Sequence, residues 1–148
     1  MVEPYDEAEI ECEDQVIRRI DPDQHIVPDF NGGVSRISSK AFQPSSGPSG
    51  GMSVDLEMLM IKANVNPRNF VTTPKFRGSV SFTAKVVRDL GLRVGYDPIV
   101  GNERLEPNPY HGEVWGGDDR PNKFTNGQKK RLHRAACWYV QIENVSIF

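Results

Sequence analysis

A chain of 148 residues with 37% hydrophobic content, 11 prolines and 13 glycines is expected to build one modest core with long connections, which excludes a dense helical bundle. A net charge of −2 with a pI near 5.9 argues against a nucleic-acid-binding chain. No apolar run approaches the roughly 18 residues that span a bilayer.

The first 14 residues hold seven acids, Glu3, Asp6, Glu7, Glu9, Glu11, Glu13 and Asp14, and no base. Removing them leaves 18 basic against 13 acidic residues, a formal +5 for the rest of the chain. Residues 1–14 are therefore expected as an acidic, disordered arm, with folding back onto the basic body as the alternative. The segment also lacks the basic-then-apolar order of a secretory signal, so a cytoplasmic protein is expected. Residues 15–148 form the single globular domain.

In chain order, residues 15–20 predict a strand, stopped by Asp21-Pro22-Asp23. Residues 24–27 predict a second extended piece, and 34–39 a polar strand with Arg36 and Ser38 on one side. The run from Gln43 to Gly51 is Pro/Ser/Gly-rich and reads as a surface loop or a flap, with composition favouring the loop. Ser53 or Asp55 can cap a helix to about Ala63, placing Leu56, Leu59, Met60 and Ala63 at helical spacing. Residues 78–82 predict a strand, Thr83 caps a short helix over 84–90, and Gly91 follows where a left-handed residue is wanted. Residues 92–94 then resume an extended path. The Thr125/Gln128 capping box opens the clearest helix, expected to run to Trp138, and 140–148 alternate as a terminal strand. With no regular βαβ rhythm, the fold class is α+β: a small mixed sheet of about five strands flanked by about three helices.

Residues 108–116 concentrate chemistry. If 110–115 are extended, His111, Glu113 and Trp115 share one face, opposite Tyr110, Gly112 and Val114. His111-Gly-Glu113 has the H-x-E spacing of zinc nucleobase deaminases, but that signature needs a downstream P-C-x-x-C and only Cys137 follows. Three histidines offer no H-x-x-x-H spacing, so no metal is expected. Cys12 and Cys137 match no C-x-x-C, and free thiols are the simplest reading. Cys137, placed on the helix face of Lys130 and Arg134, is expected to pack rather than react. Gly47-x-Ser49-x-Gly51 matches a nucleophile elbow in letters only, because no core strand leads into it. No Walker or dinucleotide fingerprint is present.

Arg18 or Arg19, Ser38-Ser39 and Glu113, in that order, resemble the Arg–Ser–Glu pattern of ADP-ribosyltransferase-like, NAD-handling folds. The resemblance implies an arginine on a cofactor phosphate, serines beside the nicotinamide and a glutamate facing the developing ribose cation. The spacing from Arg19 to Ser38 is short for that pattern, and strand-edge polar residues are the plainer reading. A second set of landmarks is Arg36-x-Ser38-Ser39, Ser53-Val54-Asp55, Asn108-Pro109-x-His111, Gly116 and Trp138. It resembles a group of short uncharacterised bacterial proteins, a resemblance that carries no activity with it.

Two functions follow as expectations. One is a polar pocket for a phosphorylated or nucleotide-like ligand, NAD included. There His111 and Glu113 serve as acid and base, and Arg36, Ser38, Ser39, Tyr110 and Trp115 bind, with Arg36 clamping an anion. The other is a non-enzymatic module that binds a protein or nucleic-acid partner through Lys130, Arg131 and Arg134 on the basic C-terminal helix.

Overall fold

The computed structural model describes residues 2–29, 31–45, 50–101 and 106–148. Strand β1 (Gln15–Ile20) lies near the middle of the main sheet because its apolar residues serve both faces. Val16 and Ile20 point to one side and Ile17 to the other, and all three are fully buried. On one side β1 pairs antiparallel with β4 (Met52–Leu56), followed by β7 (His111–Trp115) and β6 (Arg93–Tyr96). On the other it pairs along its whole length with β5 (Gly78–Thr83), which pairs with β8 (Cys137–Val140). The order is β6-β7-β4-β1-β5-β8, antiparallel at every described pairing. A second sheet holds β2 (Ile26–Val27), β3 (Ser35–Ile37) and β9 (Val145–Ser146), with β3 and β9 parallel.

The α+β class is as expected, but the sheet is larger than five strands and a second sheet stands beside it. Two-residue strands such as β2 and β9 carry no period-2 pattern to read. The helix placed on a Ser53 or Asp55 cap is also corrected. Residues 52–56 are β4, and helix α2 (Glu57–Lys62) follows directly, with no side-chain cap at Leu56. Helix α1 (Pro22–His25) takes the first half of the expected extended piece and leaves Ile26–Val27 as β2; it is capped by Asp21, whose Oδ1 accepts from the Asp23 amide at 3.0 Å.

Helix α3 (Pro67–Val71) follows α2, and the Thr83-capped helix is α4 (Ala84–Asp89), with Gly91 at φ +77°. In α5 (Asn126–Ala135) the capping box is complete: Gln128 N donates to Thr125 Oγ1 at 3.1 Å, and Thr125 N to Gln128 Oε1 at 2.8 Å. The helix stops at Ala135, so Cys137 belongs to edge strand β8. It is exposed, as is Cys12, which corrects the expectation that Cys137 packs. Four of the nine residues of the Pro/Ser/Gly run, 46–49 with Ser49 among them, lie outside the described residues.

The two faces of the main sheet differ. One carries Val16, Ile20, Val54, Leu56, Val80, Phe82, Val94 and Val114 into the principal core, with Phe42, Val87 and Leu132 packed over them. The other is apolar only in part, where Ile17 meets Met60 and Val71 from α2 and α3. Toward β7 that face turns polar, and the site lies there.

The acidic segment expected as a disordered arm instead wraps the free edge of β6. Glu7 N donates to Val94 O at 2.9 Å, Val94 N to Asp6 Oδ1 at 3.2 Å, and Tyr96 N to the Tyr5 hydroxyl at 2.9 Å. Tyr5 lies on the polar face against Trp115, Ile10 is fully buried in the principal core, and Asp6 pairs with Arg88 at 3.1 Å. An edge strand left open invites pairing with other chains, and this wrap closes it.

His25 makes the fold sensitive to acid. Its Nδ1 accepts from the Asp21 amide at 3.0 Å, so the folded ring is neutral. Burial first, then the charges of Arg18 and Lys75, pull its pKa to about 4 against the opposing pull of Asp21. A depressed histidine pKa gives stability that is complete above the ordinary value of 6.5 and lost as pH falls toward 4. The loss is on the order of 3 kcal/mol. Urea unfolding at neutral pH and near pH 4 should show a steeper acid loss for the native chain than for His25→Asn, whose side-chain oxygen can take the same amide. Equal slopes would contradict this.

Candidate functional site

Strand β7 is buried at all five positions. Its neighbours make room for it: Gly112 packs so closely that a Cβ there would sit 2.7 Å from Gly95 O and 3.0 Å from Leu56. The register places Asp55 opposite His111 and sets Ser53 and Gly95 on either side of Glu113. Cross-strand partners share a face, so Asp55, His111 and Glu113 line up on the polar side.

The approach to β7 is tied down by Asn108. Its Oδ1 accepts from Tyr110 N at 3.0 Å in a local turn, and its Nδ2 donates to Asp55 Oδ1 at 2.8 Å. Asp55 also takes Arg19 in a fork, Nε to Oδ2 at 2.8 Å and Nη2 to Oδ1 at 3.1 Å. The Arg19 guanidinium lies over the Phe70 and Phe76 rings, 5.6 and 5.8 Å from their centroids. Asp55 is thus fully engaged in holding β4, β1 and the β7 approach together.

Beyond it lies a corner made by Asp97, His111 and Glu113, each offering a donor atom within 4.8 Å of the other two. Asp97 N donates to His111 O at 3.0 Å, extending the β6–β7 ladder by one residue. His111 Nδ1 lies 2.7 Å from the Asp97 carbonyl. A carbonyl only accepts, so Nδ1 carries the proton and Nε2 is the basic nitrogen.

Glu113 is 3% exposed, and its Oε2 is buried with no hydrogen-bond partner. Burial foremost, and then the charge of Asp97, raises its pKa to about 8, while Arg18 opposes the shift. Arg18 sits behind, donating to Ala41 O at 2.8 Å and Ser53 O at 2.9 Å; burial lowers its pKa to about 10, so it stays a cation. Gly51 closes the other side, where a Cβ would meet Glu113 Oε2 at 2.9 Å and Val114 O at 2.8 Å. Tyr5 covers Gly95 and Trp115, with the Tyr5 and Trp115 ring centroids 5.9 Å apart. Asp97 is the half-buried rim of an otherwise enclosed corner.

Of the expected site residues, His111 and Glu113 come together, and Trp115 is a fully buried wall beside them. Tyr110 packs edge-on against Phe70 at 5.2 Å in the smaller apolar cluster. Arg36, expected in the pocket with His111 and Glu113, lies instead in β3 of the second sheet, with Ser38 just past its end, while β7 pairs with β4 and β6. Arg36 is exposed, Ser38 Oγ caps a short 3-10 turn by accepting from Lys40 N at 3.1 Å, and Ser39 begins that turn. Sequence reasoning missed Asp55 and Asp97, which enter through register and so leave no local signal.

Cavities elsewhere include one of about 570 Å³ between Arg77, Ile26 and Val145 and one of about 420 Å³ lined by residues 119–123. Asn122 of the second abuts Gly50, next to the Gly51 that closes on Glu113. No described helix is long and apolar enough to cross a membrane.

Taken together, these features define an α+β domain with a buried carboxylate–histidine corner at one end of an antiparallel sheet. No family model, curated protein or solved structure matches the chain.

Proposed function

We propose that this protein is a small-ligand domain with acid–base capability, and that its working centre is the Asp97–His111–Glu113 corner. The observation that carries this reading is the approach of three donor side chains to within 4.8 Å, two of them buried. A histidine with a basic Nε2 and an adjacent carboxyl group are the groups that general acid–base chemistry needs. The ligand class remains phosphorylated or nucleotide-like, NAD among the candidates, but the anion clamp moves. In place of Arg36, Arg120 and Lys123 are exposed beside the 420 Å³ cavity and form no ion pair among the described residues. Two cations at one short turn suit phosphate oxygens.

Thermal unfolding with inorganic phosphate, AMP and NAD tests the proposal. A probe at a hundred times its Kd should stabilise the native chain by about 2.7 kcal/mol. The shift should vanish in His111→Ala and shrink in an Arg120→Ala/Lys123→Ala variant. No shift with any probe, or one untouched by these substitutions, would overturn the reading.

A second reading keeps α5 as a docking helix for a protein or nucleic-acid partner. In its favour, Lys130, Arg131 and Arg134 are exposed and form no ion pair among the described residues. Replacing all three with Ala should abolish salt-sensitive binding to a single-stranded oligonucleotide or an acidic peptide.

A further inference from the structure

A buried carboxylate oxygen without a partner is costly, and proteins keep such groups where something else satisfies them. Glu113 Oε2 is in that position, in a residue 97% buried by its 3% exposure. Asp97 adds a second carboxylate, and His111 adds an imidazole already oriented for another role. Its Nδ1–H is spent on the Asp97 carbonyl at 2.7 Å, leaving Nε2 as a lone-pair donor. That arrangement, one ring nitrogen anchored to a backbone carbonyl and the other free, is how metal-binding histidines are usually held.

We propose that Asp97, His111 and Glu113 bind a single divalent first-row transition cation, Zn²⁺ or Mn²⁺ by donor chemistry. Ligand atoms about 2.0–2.2 Å from a cation stand up to roughly 4.2 Å apart. The observed limit of 4.8 Å therefore calls for the three side chains to draw together around the cation. One nitrogen and two oxygens disfavour Ca²⁺, which takes six to eight oxygens, and the lack of a thiolate disfavours a structural zinc. Three protein ligands leave a coordination position for water or substrate.

H-x-E spacing on β7 supplies two of the ligands, and the third comes from the end of β6, opposite in register. The sequence signature of a zinc site is therefore absent because the site is assembled across strands. The inference deepens the reading of this corner as the working centre.

Its test uses the full chain stripped with EDTA and titrated calorimetrically with Zn²⁺, Mn²⁺ and, as a comparison, Ca²⁺. One equivalent of Zn²⁺ or Mn²⁺ should bind, and Co²⁺ should give visible d–d absorption with the same stoichiometry. Affinity should fall by at least about tenfold in Glu113→Gln and in His111→Ala. Asp97→Asn, at the half-buried rim, provides the third arm if His111→Ala does not fold. A Cys12→Ser/Cys137→Ser variant should bind as the native chain does. Absence of stoichiometric binding, or binding that survives Glu113→Gln and Asp97→Asn, overturns the proposal. Stabilisation by phosphate or AMP in EDTA-stripped protein that binds no metal would remove the cation and leave the ligand reading standing. Metal binding without any response to those probes would do the reverse.

Discussion

Replacing Asp55 with alanine is expected to cost about 3–5 kcal/mol of stability, toward the lower end because Arg19 keeps some contact with water. Asp55 is 3% exposed and accepts three hydrogen bonds, two from the Arg19 fork and one from Asn108. Its loss leaves a guanidinium between two phenylalanine rings without its counter-charge, and an amide without an acceptor. The damage is also geometric, since Asn108 holds the turn that delivers His111 to β7. Removing both charges together, as Arg19→Met with Asp55→Leu, should cost less than Asp55→Ala alone, because no orphaned charge remains. Denaturant unfolding of the single and double variants measures this. A loss below about 1 kcal/mol in Asp55→Ala would mean that the network is dispensable.

Glu113→Gln should do the opposite: hold stability within about 0.5 kcal/mol of the native chain, or raise it, while abolishing the response to ligand. The amide has the shape of the carboxyl group, which with its pKa raised to about 8 is already mostly protonated at neutral pH, and it can donate to Asp97 while leaving its oxygen where Oε2 now sits. Gly51 packs against that position, so a larger side chain would not be accommodated as quietly. A residue kept for function at the expense of stability behaves in this way. Should Glu113→Gln lose 2 kcal/mol or more, about the cost of a broken buried hydrogen bond to a charged group, Glu113 would be a structural strut.

Much of this fold is readable in the sequence where the signals are local. β1 and β7 follow from period-2 patterning, and α4 and α5 from Thr83 and the Thr125/Gln128 box, because caps and alternation act within a few residues. β4 is not readable, since Met52, Val54 and Leu56 merge with Leu59 and Met60 with no turn residue between them, so one helical stripe covers both elements. The arm misleads because Tyr5 and Ile10 are lone anchors among seven acids, and charge density hides them. In the candidate site, the alternation of His111 and Glu113 is legible and their partners are not. Asp55 and Asp97 are brought in by strand register, a non-local property. Arg36 reads as a pocket residue for the same reason in reverse: its strand has the right alternation but belongs to another sheet.

Amide chemical-shift mapping of the full chain with AMP tests the central claim most directly. If the carboxylate–histidine corner is the working site, the largest changes fall on residues 95–97 and 111–115, extending to Arg120 and Lys123. Changes confined to α5 around Lys130–Arg134 or to the strand of Arg36, or no change at all, would contradict it.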